Sequence, residues 1–68
     1  MKDWRINYKK DFLCTLINRK RQDDKVVNYV DGLWVNNLVR KTMRAQKITD
    51  ELEAINYLID QVRQNKLK

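Results

Sequence analysis

The stretch TDELEAINYLIDQV, residues 49–62, is the clearest helix signal in the sequence. Thr49 or Asp50 can serve as the N-cap, and Asp50 with Glu53 has the spacing of a capping box. The apolar side chains that follow lie on one narrow stripe of a helix that we expect to run to about residue 65. The stripe consists of Leu52, Ile55, Leu58, Ile59 and Val62. Because two heptads are too short to form a stable coiled coil alone, the stripe must pack within this chain or against a second copy.

A second helix is predicted over residues 10–21, where four apolar residues recur at helical spacing. They are Phe12, Leu13, Leu16 and Ile17. Asp11 would then stand in the first turn, where a carboxylate suits the positive end of the helix dipole.

The segment before this helix, WRINYK at residues 4–9, leaves two alternatives. Strict alternation of Trp4, Ile6 and Tyr8 is typical of a strand. The spacing of four between Trp4, Tyr8 and Phe12 is typical of a helix. A minor β element near residues 3–8 therefore stays open.

The middle of the chain also gives two signals. Asp31-Gly32 between apolar runs favours a hairpin, whereas residues 33–46 favour a helix. We prefer a short helix over residues 24–30, a turn at Asp31-Gly32 and then a long helix. The apolar face of that long helix comprises Trp34, Val35, Leu38, Val39, Thr42 and Ala45.

Together these elements predict an all-α single domain over residues 1–68, a bundle of three to four short helices. With no Pro and one Gly, the chain contains no linker composition. A domain of this size usually has only a small core, which favours self-association.

Charge is the strongest compositional feature. The chain carries 15 Lys and Arg against 9 Asp and Glu, a net charge of +6, and residues 1–22 hold +5 of it. An excess of this kind favours a polyanionic partner, either nucleic acid or an acidic protein surface.

Two groups of basic residues are candidate nucleic-acid contacts. The first, Asn37, Arg40, Lys41 and Arg44, follows the spacing that lines one side of a helix. Arg can pair with guanine, Asn with adenine and Lys with phosphates, although a solvated helix face requires the same polar pattern. No acidic residue occurs from Gly32 to Ile48, whereas a purely solvating face usually mixes both signs.

The second group is Arg19, Lys20 and Arg21. These cations would stand in the last turn of the first helix, with Asp23 and Asp24 at the start of the next element. Helix capping explains both placements without a ligand. The same cations can also hold a nucleic-acid backbone.

The two tryptophans have two interpretations each. Either can stack unpaired bases, but core packing is the simpler interpretation, above all for Trp34 on the apolar face with Leu38. Tyr8, Tyr29 and Tyr57 are expected at the boundary of the core.

Catalysis has little support in the sequence. There is no His, and the single Cys14 lies on an apolar helical run. The acidic pairs and triplets are better explained as caps than as metal ligands. We therefore expect a protein that is not an enzyme and needs no cofactor.

The sequence thus favours a small basic regulatory or accessory protein, of the kind mobile elements or viruses encode, that binds nucleic acid with duplex DNA preferred. We expect a cytoplasmic homodimer without a membrane segment, its dimer contact supplied by Leu52, Ile55, Ile59 and Val62. The alternative is a protein-interaction module that modulates an acidic partner protein through the same surfaces.

Overall fold

The computed structural model describes residues 4–23 and 28–66 and shows an all-α bundle, which confirms the predicted fold class. Its three helices are α1, Trp4–Asp23, α2, Gly32–Gln46, and α3, Glu51–Arg63. Each helix packs against the other two. In the described part of the chain, no helix is long and apolar enough to cross a membrane.

α3 supplies half of the apolar side chains that are buried among the described residues. Ala54, Ile55, Leu58, Ile59 and Val62 are all buried in the core. α3 begins where the sequence predicts, because Asp50 occupies its N-cap in an extended conformation. The Asp50 side chain makes no capping hydrogen bond, however, so the expected capping interaction of Asp50 is absent. The helix ends at Arg63, two residues before the expected end.

α1 is longer than predicted because the helical alternative holds for its first residues. Residues 4–8 are helical, so the β element considered there is wrong for this segment; residues 1–3 lie outside the described residues. Nothing in this stretch breaks a helix, since it contains neither Gly nor Pro. The prediction for Asp11 is also wrong, because an earlier helix start leaves this residue in the middle of α1.

The segment before α2 is an N-cap and not a hairpin. Asp31 has extended backbone dihedrals, and its carboxylate accepts a hydrogen bond of 2.8 Å from the backbone N–H of Trp34. This bond satisfies one of the free donors of the first helical turn, so Gly32 starts a helix. The short helix expected at residues 24–30 is not present at residues 28–30, and residues 24–27 lie outside the described residues.

Val30 anchors this connection to α1. Its side chain is buried, and its backbone N–H donates to Oδ1 of Asn18. Its carbonyl accepts from Nδ2 of Asn18 at 3.0 Å and from the thiol of Cys14 at 3.1 Å. One side chain of α1 therefore holds both backbone groups of the residue that precedes the α2 cap.

α2 buries Val35, Val39 and Thr42 against the other helices. The predicted core position of Trp34 is wrong, because this residue is 38% exposed. The buried row runs through Val35, so a side chain one residue earlier stands at the margin of the bundle, where no helix covers it fully. Ala45, at the other end of the predicted apolar face, is also exposed.

Candidate nucleic-acid interface

The surface of α2 that points away from the core carries Asn37, Arg40, Lys41 and Arg44, which we call the basic face. All four residues are exposed. Burial of Val35, Val39 and Thr42 on the opposite side orients the helix, so the periodicity of α2 itself directs the basic face into solvent.

Among the described residues, the cations of the basic face have no anionic partner of their own. Across residues 4–23 and 28–66, neither Arg40, Lys41 nor Arg44 forms an ion pair. Glu51 lines a groove together with Arg40, but its carboxylate is paired with the ammonium of Lys10. The basic face therefore keeps its positive charge available to an external anion.

The second predicted group is split by the fold. Arg19 is exposed, while Lys20 and Arg21 are half-buried in the last turn of α1, as helix capping predicts. The guanidinium of Arg21 donates to the carbonyl of Asn28 at 3.4 Å and lies 5.1 Å above the centre of the Trp34 ring. Arg21 thus connects α1 to α2.

Asp23, the first of the two acids that follow this group, does not begin a helix. Asp23 is the last residue of α1, so the prediction that it starts the next element is wrong. Asp24 lies outside the described residues. The physical reason is that Asp31, further along, supplies the side chain that caps α2.

The α3 residues that were expected at a dimer contact pack into the core of the same chain. Ile55, Ile59 and Val62 are buried in the core, and Leu52 is half-buried. Of the two alternatives open for this stripe, packing within the chain is the one the structure has. Ile55, Ile59 and Val62 are not accessible to a second copy while the bundle is folded, so a homodimer would need another surface.

A metal-binding cluster or a reactive thiol among the described residues would support chemistry. Within the described ranges, no cluster of three or more His, Cys, Asp or Glu side chains could hold a metal ion. The thiol of Cys14 is half-buried and donates to the Val30 carbonyl, a packing role in line with its position.

The sequence left base stacking open for Trp34, but an exposed group formed by this residue with Tyr29 and Leu33 was not predicted. Tyr29 is 67% exposed and Leu33 is 69% exposed, beside the partly exposed Trp34. We call these three residues the aromatic edge. A signal was present, because Leu33 stands four residues before Asn37 and seven before Arg40, in register with the basic face and not with the core.

Comparison of the chain with protein-family models, with curated proteins and with solved structures finds no match. What this chain binds is therefore inferred from its own residues.

Proposed function

We propose that this chain binds nucleic acid without catalysis, through the basic face of α2. The observation that carries the proposal is the exposure of Arg40, Lys41 and Arg44 without ion-pair partners among the described residues. These three cations lie on one side of one helix.

The electrostatic argument depends on what usually surrounds surface cations. Exposed helix faces commonly interleave both signs, which limits repulsion and gives weak pairs at i, i+3 and i+4. From Gly32 to Ile48 the sequence places no acid that could do this. Phosphates supply the missing anions, and each contact releases counterions from the nucleic acid, which favours binding at low salt.

Base contacts would come from the same row of residues. Asn37 lies between Leu33 and Arg40 on the exposed side, where its amide can meet a base edge while the neighbouring cations hold the backbone. Arg19 is exposed near the end of α1 and would contact a phosphate of the nucleic acid in this proposal. Arg21 has a smaller part, since its guanidinium already rests on Trp34.

The test is binding of a labelled oligonucleotide by fluorescence anisotropy between about 50 and 200 mM salt. We expect Arg40→Gln with Arg44→Gln to remove two phosphate contacts. The slope of log K against log salt should then fall in magnitude by about 1.8 for a duplex and about 1.4 for a single strand.

The matched control is Arg63→Gln with Lys66→Gln, which removes the same charge from the end of α3. Both residues are exposed, and Arg63 lies on α3 beside the ring of Phe12, whereas the basic face belongs to α2. An equal loss of slope in both double variants would show that only net charge matters. Absence of binding at the lower salt would refute the proposal and leave an acidic protein as the partner to look for.

A regulatory or accessory role, in which binding by the basic face modulates another process, is part of this proposal. Capture of an acidic protein in place of nucleic acid would instead support the interaction module. The same double variant at Arg40 and Arg44 would release such a partner, so the identity of the ligand separates the two functions.

A further inference from the structure

The aromatic edge is an unusual use of surface in a chain of 68 residues. Tyr29, Leu33 and Trp34 fall within six residues, and all three stay at least 38% exposed. Single exposed apolar residues are ordinary, but an aromatic group beside cations is the composition of surfaces that stack on bases.

Both rings are held in place by adjacent residues of α1. The guanidinium of Arg21 lies 5.1 Å from the centre of the Trp34 ring. The amide of the next residue, Gln22, donates a hydrogen bond of 2.8 Å to the hydroxyl of Tyr29. The last turn of α1 therefore restrains each of the two rings and reduces the side-chain entropy that a ligand would otherwise have to remove.

The backbone between Tyr29 and Trp34 is also held by hydrogen bonds. The Asp31 carboxylate accepts from the N–H of Trp34, and Val30 is bound through both of its backbone groups by Asn18. Tyr29 and Trp34 stand on either side of these two fixed residues. The backbone that carries the two rings is thus restrained by these hydrogen bonds.

The aromatic edge continues into the basic face. Leu33, Asn37, Arg40 and Arg44 recur at spacings of four, three and four, which places them in one row along α2. From Leu33 to Arg44 this row is about 16 Å long at roughly 1.5 Å per residue. A stacked strand places about five phosphates in that length, at roughly 3.4 Å each.

We propose that the aromatic edge stacks unpaired bases, and that the ligand of this surface is a single strand whose phosphates follow the basic face. This inference rests on the proposed function and changes the expected ligand from a duplex to a single strand. In a duplex the bases are already stacked on each other, so exposed rings can stack only on bases that are unpaired. The cations further along α2 make an anionic strand the complementary occupant.

The test compares a labelled dT 12-mer with a 12-base-pair duplex. Trp34→Leu should weaken single-strand binding by about 5- to 150-fold, the range for loss of one stacked base, with duplex binding little changed. Tyr29→Leu should act in the same direction. The comparison variant is Trp4→Leu, because Trp4 is 72% exposed at the start of α1 and outside the aromatic edge. An equal loss of single-strand affinity in Trp4→Leu would show that stacking is not located at the aromatic edge.

Fluorescence gives a second readout that does not depend on the stability of Trp34→Leu. Trp4→Phe leaves Trp34 as the single indole of the chain. Binding of dT should quench its emission, whereas inorganic polyphosphate, which carries phosphates without bases, should bind with little quenching. Equal quenching by polyphosphate would overturn base stacking even if Trp34→Leu proved unstable.

The outcomes separate this inference from the proposed function. If the native protein binds neither oligonucleotide at about 50 mM salt, both fail. If both oligonucleotides bind and depend on Arg40 and Arg44, yet Trp34→Leu weakens them equally or not at all, only the aromatic edge fails. A selective loss of single-strand affinity in Trp34→Leu and not in Trp4→Leu would support the inference.

Discussion

Removal of the Asn18 side chain should lower the free energy of unfolding of the bundle substantially. Asn18 is half-buried in α1, and its carboxamide bonds both the N–H and the carbonyl of Val30, which is itself buried. Asn18→Ala removes both hydrogen bonds. The Val30 carbonyl keeps the thiol of Cys14, a weak donor, while its N–H loses the partner that the structure shows.

The magnitude follows from these two bonds. Loss of the carbonyl bond should cost about 1 kcal/mol, and a buried N–H left without a partner about 1 to 3 kcal/mol. The better helix propensity of Ala returns about 0.5 kcal/mol. The net fall in the free energy of unfolding is then about 1.5 to 3.5 kcal/mol. That is a large part of the total, since a chain of 68 residues should have about 3 to 10 kcal/mol.

Urea unfolding followed by far-ultraviolet circular dichroism measures this change. With a slope of about 1 to 2 kcal/mol per molar urea, the midpoint should fall by about 1 to 3 M. Asn7→Ala is the control, because Asn7 is exposed on the same helix and gains the same propensity. A difference between the two variants below about 0.5 kcal/mol would refute the view that Asn18 anchors Val30, because one net hydrogen bond alone accounts for that amount.

Two further predictions concern the start of α2. Asp31→Ala should lower the free energy of unfolding by about 1 kcal/mol, because the Asp31 carboxylate caps Trp34, whereas Asp50→Ala should cost only a few tenths, because the Asp50 side chain makes no capping bond. Equal losses in thermal or urea unfolding would contradict this assignment of the caps. Gly32→Ala should stabilise the protein by about 0.5 kcal/mol, because a Cβ there meets nothing within 4 Å and the backbone of Gly32 does not have a positive φ. A destabilised Gly32→Ala protein in the same unfolding assay would show that the chain needs a turn conformation at this residue.

The basic face could be predicted from the sequence because helix periodicity alone determines it. Once residues 33–46 are helical, Val35, Val39 and Thr42 share one side, and Arg40 and Arg44 fall on the other. The same reasoning predicted the α3 stripe and the cation-rich end of α1. These features depend on neighbours three or four residues away, which the sequence places in order.

Local patterns were less decisive where two periods compete. Trp4, Ile6 and Tyr8 fit a strand as well as Trp4, Tyr8 and Phe12 fit a helix, and the continuous α1 settled the choice. Asp31-Gly32 fits a hairpin turn and a helix cap equally well. The cap forms because the Asp31 carboxylate accepts a hydrogen bond from the N–H of Trp34. In addition, Asn18 of α1 binds the backbone of Val30, the residue directly before Asp31.

The sequence by itself determined that this chain forms amphipathic helices and that α2 carries a cationic side free of acids. Only the tertiary structure decided which side chains of those helices are buried by a neighbouring helix. Ile55 and Ile59 are core because α1 and α2 close over them, whereas Trp34 stays partly exposed because the bundle ends beside it. Periodicity gives the direction of a side chain from its own helix axis, but its burial depends on whether another helix lies there, which is a long-range property.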